Sequence, residues 1–181
     1  GGWKLPHSFV PHGPDNETPF RHAAMADGIA YVVLDGRKTG NDLAQEKWVL
    51  ERLQEMRIAA HRVVLSCRPM ESLTGEAKEL TPQFRYYEKL LRGDVSALIS
   101  SGDRAFYFGG YGDLTAISAG CATGSPGALA GQETRQEATV GVVDLRPGKK
   151  TSAWSLSALD PTAMIKSSEY PRQVGNYDRK E

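Results

Sequence analysis

Ala116-Ile117-Ser118-Ala119-Gly120 is the stretch of this chain whose residue types and spacing come nearest to catalysis. A serine among small residues at the end of a strand can sit on a sharp strand-to-helix turn that exposes its hydroxyl as a nucleophile, and the chemistry would be hydrolysis or acyl transfer. Such a serine needs a base, yet His7, His12, His22 and His61 all precede it in the chain. Ala116 also stands where the motif has glycine, and Pro126 with several glycines follows where a helix should begin. Asp35 is the second candidate, a carboxylate closing an apolar run, where α/β proteins often keep a functional acid. Its ordinary alternative is the first residue of an Asp35-Gly36 turn. A ligand pocket at the carboxyl ends of parallel strands would bring Asp35, Arg37 and Arg68 together.

The remaining constellations are weaker. His7, His12 and His22 are spaced by five and ten residues, which suits neither a helix face nor a strand face, so no metal site is expected from them. Cys67 and Cys121 are the only two cysteines. Without a Cys-x-x-Cys pair or a Cys/His cluster, structural zinc is not expected either. One disulfide is allowed, and two buried thiols are the commoner outcome. Gly109-Gly110-Tyr111-Gly112 has the glycine content of a phosphate loop but no following Gly-Lys-Ser/Thr, so a strand with a close backbone approach fits better. Arg146, Lys149 and Lys150 form a small basic spot and are the candidate interaction residues. Glu133, Arg135 and Glu137 read as a solvated edge face. No cofactor is expected.

These groups sit in a chain of 181 residues with 22 Lys plus Arg against 22 Asp plus Glu, a balance that gives no net field to attract nucleic acid. No apolar run approaches the ~20 residues of a membrane helix. A single domain over 27–159 is expected, preceded by an extended arm over 1–26 and followed by a polar surface tail over 160–181.

The elements that must position the candidates follow from periodicity. Ile29 to Leu34 reads as a buried strand. Asp42 with Gln45 is a capping pair, and the helix it opens carries Leu43, Leu50 and Leu53 on one stripe with Val49 and Met56 beside it. His61 to Cys67 is the next strand, giving a βαβ unit with parallel strands. Thr81-Pro82 starts a second helix. Its apolar face runs through Phe84, Tyr87, Leu90 and Leu91 and resumes at Val95, Leu98 and Ile99 after Gly93-Asp94. Ala105 to Phe108 is a strand, Leu114 to Ala119 its continuation or partner, and 120–135 a glycine-rich loop. Arg146-Pro147-Gly148-Lys149 is a type II turn between alternating strands, with Trp154 and Leu156 pointing inward and Ser155 and Ser157 outward. The fold class is α/β (α+β): a βαβ start, a mixed sheet, two main helices and a closing antiparallel hairpin.

Two resemblances add to this. Ser118-Ala119-Gly120 resembles the nucleophile triplet of the dipeptidase E and cyanophycinase group. More broadly, Val140, Val142, Val143, Asp144, Leu145 and Gly148, followed by Trp154-Ser155-Leu156-Ser157-Ala158 and preceded by the glycine-rich Gly120–Gly131 segment, resemble bacterial envelope proteins. These carry a domain like the TolB N-terminal domain and include the lipoprotein CsgG. The likeness implies a non-enzymatic accessory protein of the periplasm or outer membrane that contacts a protein partner or itself, anchored through a removed N-terminal segment. The alternatives are a small hydrolase with Ser118 as nucleophile and Asp35 in support, or a small-ligand-binding module.

Overall fold

The structure, a computed structural model, describes residues 10–12 (backbone alone), 21–35, 42–67, 72–74, 88–90, 94–122, 124–160 and 162–181. Nine strands form one mixed sheet and three a smaller antiparallel one. The chain order is β1 (Val10–His12), β2 (His22–Ala26), β3 (Ile29–Val33), α1 (Leu43–Glu55), β4 (His61–Ser66), β5 (Ala97–Ser100), β6 (Phe106–Tyr111), β7 (Leu114–Ala119), β8 (Thr139–Asp144), β9 (Ser152–Ser157), β10 (Met164–Ile165), a 3-10 turn (Ser167–Glu169), β11 (Gln173–Val174) and β12 (Tyr177–Arg179). Across the large sheet the order is β1-β2-β3-β4-β5-β7-β6-β12-β11, and across the small one β10-β9-β8. The α/β (α+β) class, the βαβ opening and the antiparallel hairpin are all present. Residues 88–90 are helical, and the rest of the expected second helix, Thr81 to Tyr87 included, lies outside the described residues.

The βαβ unit forms for the reasons its sequence displays. Asp42 caps α1 by accepting from the Gln45 N–H at 2.8 Å, which satisfies one of the donors a helix start leaves open. β3 and β4 then pair in parallel, Val32 opposite Val64. The buried stripe of α1 differs from the expected one. Val49, Leu53 and Met56 face the sheet, whereas Leu43 is 74% exposed. At 100° per residue, a stripe centred on 49 and 53 leaves position 43 about a quarter-turn or more away. Arg21 stacks over Trp48 with its guanidinium 4.9 Å from the ring, tying β2 to the helix.

Three segments differ from their sequence reading. Within 1–26, placed in an extended arm, Val10–His12 and His22–Ala26 pair as β1 and β2, and β2 is joined to β3 by Asp27-Gly28 with φ of 51° and 77°. Positive φ at both positions is what a two-residue hairpin turn requires. Val95 to Ile99, read as a helix continuation, lead into β5, parallel to both β4 and β7. Asp94 adopts φ 55° and the Val95 N–H reaches back to the Leu90 carbonyl, a left-handed stop after which the chain is extended. Residues 160–181 bring β12 alongside β6, Asp178 opposite Gly110, and bury Tyr170, Val174 and Tyr177. The approach is possible because β6 carries Gly109-Gly110. A Cβ on Gly109 would enter the Tyr107 ring and lie 2.9 Å from the Asp178 carbonyl oxygen; one on Gly110 would enter the Leu114 carbonyl and the Lys180 side chain.

Tyr107 ties this C-terminal segment to the core. Its ring is fully buried and its hydroxyl donates toward the carbonyls of Pro171 and Arg172 at 3.2 and 3.3 Å. Burial, with Arg179 opposing and Asp178 adding, pushes the phenol up to about 12. A tyrosine in the unfolded chain ionises near 10. The folded state therefore holds the proton more tightly, and the stability it contributes is complete below pH ~10 and lost as pH rises toward 12, at about 1.4 kcal/mol per pH unit. Urea melts at rising pH should show this decline, and Tyr107→Phe should make it shallower; an unchanged slope would place the alkaline loss on other groups.

The hairpin has the expected strands and turn. Gly148 has φ 71° and the Lys149 N–H donates to the Arg146 carbonyl at 3.0 Å. Its facing is reversed. Ala153, Ser155 and Ser157 are buried against the large sheet, while Trp154 and Leu156 are half-buried on the other side. The inward hydroxyls are held by partners. Ser155 shares a hydrogen bond of 2.6 Å with the Tyr170 hydroxyl, and Ser157 donates to Glu137 at 2.8 Å. The Tyr170 ring lies 5.6 Å from that of Phe106, so a serine hydroxyl is satisfied where a larger apolar side chain was expected.

Candidate functional site

The parallel strands β3, β4, β5 and β7 direct their carboxyl ends to one edge of the sheet, where open α/β sheets commonly bind ligands. Asp35, Cys67, Asp103 and Cys121 follow these strands there, and Ser118 lies in the last turn of the ladder. Each has a definite placement.

Ser118 is 2% exposed in β7, opposite Ser100 on one side and Tyr107 on the other. Its hydroxyl donates to the Ala105 carbonyl at 2.6 Å. The strand runs on to Ala119 and is followed by the loop from Gly120, so the strand-to-helix elbow is not formed. The histidines are also distant. Ser118 shares its level with Ser66, the last residue of β4, whereas His61 begins β4, five residues or roughly 16 Å away along the strand. His22 lies at the right level but on β2, four strands across, or roughly 19 Å. His12 belongs to β1, and His7 lies outside the described residues.

Asp35 is buried at 2% exposure and is not the solvated turn residue that Asp-Gly implies. Its backbone N–H donates to Gln45 Oε1 at 2.8 Å, and the Gln45 amide reaches back to its carbonyl, which locks the end of β3 to the first turn of α1. Arg37 and Arg68 lie outside the described residues. Cys67 is exposed, Cys121 is partly buried, and the two are not joined in a disulfide.

Asp103 is a carboxylate that sequence reasoning passed over. It is buried, and its oxygens accept from the Leu73 N–H at 2.8 Å, the Ser72 hydroxyl at 3.0 Å and the Thr74 hydroxyl at 3.3 Å. The group clasps the 72–74 turn onto the end of β5. Hydrogen bonds to an ionised acceptor contribute about 1.5–3 kcal/mol, so Asp103→Asn, which exchanges an acceptor for a donor, should cost that much in a denaturant melt. A loss below about 0.5 kcal/mol would show that the clasp is solvated and idle. Nothing in the sequence marked it in advance, because the strand it follows, β5, reads there as a helix.

Clefts lined by described residues flank the sheets. A shallow groove of about 830 Å³ runs past Leu50, Arg57, Ile58 and Arg62, with Lys89 and Asp94 at its rim. Most of its charge is engaged internally: Arg62 pairs with Asp94 at 3.2 Å and Lys89 with Glu46. A smaller cleft of about 320 Å³ lies between Gln132–Glu137 and Ile165–Pro171. Gln136 on its wall bonds both the N–H and the carbonyl of Phe106, at 2.7 and 2.9 Å, and so acts as a side-chain substitute for a strand neighbour. Among the described residues no group of three or more His, Cys, Asp or Glu is arranged to hold a metal ion. No helix among them is long and apolar enough to cross a membrane.

At the opposite edge lies the hairpin tip. Arg146, Lys149 and Lys150 are exposed there, as expected. Arg146 forms a two-point pair with Asp144, at 2.7 and 3.0 Å. Its carbonyl lies 2.7 Å from His61 Nε2, a contact that fastens the tip to the start of β4.

The chain is thus a two-sheet α/β protein whose strand-end groups are largely committed to their own scaffold. Its fold is shared with solved structures. GAP50, the anchor in the inner membrane complex of Plasmodium, superposes with a TM-score of 0.61 at 14% identity, covering 99% of this chain and 57% of that one. The purple acid phosphatase PPD1 of yellow lupin (Lupinus luteus) seeds superposes with a TM-score of 0.57 at 12% identity, covering 78% of this chain and 31% of that one. At these identities the likeness is one of fold, and the chain spans little more than half of the first protein and a third of the second. No family model and no curated protein matches the sequence.

Proposed function

We propose that this protein acts through protein–protein contact, as an accessory or anchoring element, and not through chemistry at Ser118 or Asp35. The observation that carries the reading is Ser118 itself: buried in a β-ladder, donating to Ala105, and separated from His22 and His61 by strands or strand length. Asp103 supports it, being spent on the 72–74 turn. The fold is compatible with such a role, since one protein that shares it is described as an anchor. The hairpin tip with Arg146, Lys149 and Lys150 is one contact surface. The finer part of the proposal is placement in a bacterial envelope, implied by the likeness of the hairpin. Recovery of the native protein with envelope fractions supports it, and recovery in the cytosol overturns it.

Because the second solved structure is a phosphatase, the test addresses hydrolysis directly. The purified chain is expected to resist a serine-directed fluorophosphonate probe and to leave p-nitrophenyl phosphate intact with added Zn²⁺, Mn²⁺ or Fe³⁺. Labelling abolished by Ser118→Ala, or turnover abolished by Asp35→Asn or Asp103→Asn in a protein that still folds, would replace the contact reading with an enzymatic one.

A further inference from the structure

The cleft between residues 132–137 and 165–171 is lined by charges that do not pair with one another. Arg135 is exposed at its wall, and among the described residues its side chain forms no ion pair or hydrogen bond. Glu137 and Glu169 line the same cleft, and each spends one oxygen on the scaffold. Glu137 Oε2 accepts from the Ser157 hydroxyl at 2.8 Å, and Glu169 Oε1 accepts from the Lys166 N–H at 3.1 Å. One oxygen of each carboxylate is left over. Burial raises the Tyr170 phenol, the Ser155 hydrogen bond opposes, and the Glu169 and Glu137 charges add to the rise, so both carboxylates act on that end of the cleft. Arg135 and Glu137 are two residues apart, at most ~7 Å along the chain, yet they do not neutralise each other. The Glu133, Arg135, Glu137 alternation that reads as a solvated edge in the sequence thus supplies two of the three charges.

Both walls are held in place by the scaffold, which lowers the ordering cost of binding. Gln136 is fixed by its two bonds to the Phe106 backbone. Tyr170 packs on the Phe106 ring, with its hydroxyl bonded to Ser155 and its carbonyl accepting from Arg179 at 2.6 Å. Leu129, Ile165 and Pro171 supply the apolar part of the lining. The three charges select the ligand by exclusion as well as attraction. A simple amine would bring a second cation beside Arg135, and a simple carboxylate would meet Glu137 and Glu169. A ligand with both charges a few ångströms apart, joined to an apolar group, answers the whole lining. At about 320 Å³ the cleft sits at the lower end of the roughly 300–1,000 Å³ range of small-molecule sites, which suits one residue rather than a peptide. We propose that this cleft binds a free α-amino acid with an apolar side chain. Its carboxylate meets Arg135, its ammonium meets Glu137 and Glu169, and its side chain lies on Leu129 and Ile165. Ligand binding here goes beyond the contact reading above and does not depend on it.

L-Leucine is the probe, titrated into isotope-labelled protein at pH ~6.5, where α-amino groups are charged. Binding should be roughly millimolar, as an open cleft of this size gives. Amide signals of residues 135–137 and 169–170 should shift, while those of Val63 and Val64 in β4 stay in place. N-Acetyl-L-leucine lacks the ammonium and L-leucinamide lacks the carboxylate, so they also stand for the carboxyl and amino ends of a peptide. Each should bind at least ~5-fold more weakly than L-leucine. Arg135→Gln should erase the preference for L-leucine over L-leucinamide, and Glu169→Gln should narrow that over N-acetyl-L-leucine. Both positions are exposed, so the melting curve should stay in place. The proposal is overturned by no shift up to ~20 mM L-leucine, by shifts centred elsewhere, or by either analogue binding as tightly as L-leucine. A preference that survives Arg135→Gln in a folded protein also overturns it. If a variant fails to fold, the three ligands on the wild-type chain decide alone.

Discussion

Phe106→Ala is expected to remove about 3–5 kcal/mol of folding free energy, the range for deleting a buried phenylalanine ring. Phe106 is 1% exposed at the start of β6 and is where the two sheets meet. Its backbone N–H and carbonyl are both bonded by the Gln136 side chain, and its ring lies against Tyr170 from the C-terminal segment. A Cβ on Gly141 of β8 would come within 3.1 Å of that ring, so the glycine leaves just enough room for it to fill the space beneath the hairpin. Removing the ring leaves a cavity between two hydrogen-bonded sheets that cannot collapse without breaking register, which favours the upper half of the range. Chemical denaturation of wild type and variant gives the number directly. A loss under about 1 kcal/mol would mean that the sheets are held mainly by the Ser155–Tyr170 and Ser157–Glu137 hydrogen bonds.

Gly110→Val should cost about 3 kcal/mol, the top of the range for overpacking, because the new side chain meets backbone that cannot give way. The first atom of a side chain there would already enter the Leu114 carbonyl, which belongs to the partner strand of the same hairpin, and the Lys180 chain. The Lys180 chain can swing aside, but the Leu114 carbonyl cannot, so relief requires the end of the β6–β7 hairpin to shift and with it the β12 pairing at Gly110, and the damage should be local first. Amide hydrogen exchange at Tyr177–Arg179 should accelerate strongly, while exchange at Val63 and Val64 in β4 follows global stability alone. Uniform acceleration across both strands would show that the C-terminal segment unfolds with the core rather than ahead of it.

Much of the first half was legible because its signals are local. Asp42 and Gln45 are three residues apart and bond as a cap. Ile29 to Val33 is a short apolar run that forms β3, with Ala30 and Val32 fully buried and Ile29, Tyr31 and Val33 half-buried on the other face. The Pro147-Gly148 turn has its own φ requirements. Asp27-Gly28 was equally local, a two-residue hairpin signal ahead of β3, but the proline-rich stretch before it made an arm the simpler reading. Val95 to Ile99 shows a different limit, since a short apolar run carries no periodicity that separates helix from strand. Asp94 in a left-handed conformation decided the matter. Of the candidate site, Ser118 and Asp35 were correctly placed at strand ends, and their burial was not readable from residue type.

The hairpin facing and the C-terminal strands mark the boundary between the two kinds of information. Alternation along β9 was determined by the sequence alone: Trp154 and Leu156 must share one side, and Ser155 and Ser157 the other. Which side faces the core was decided only in three dimensions. Tyr170 arrives from outside the hairpin with a hydroxyl that needs a partner, and Ser155 supplies it. In the same way, Gly109-Gly110 announced that some backbone approaches closely, while its identity as residues 178–179 depended on a pairing nearly 70 positions away. Local conformational preference is carried by neighbours in the chain. Burial and partnership are carried by groups the chain brings together only on folding, and in this protein they turn a serine from a nucleophile into a strut and an expected core face into an outer one.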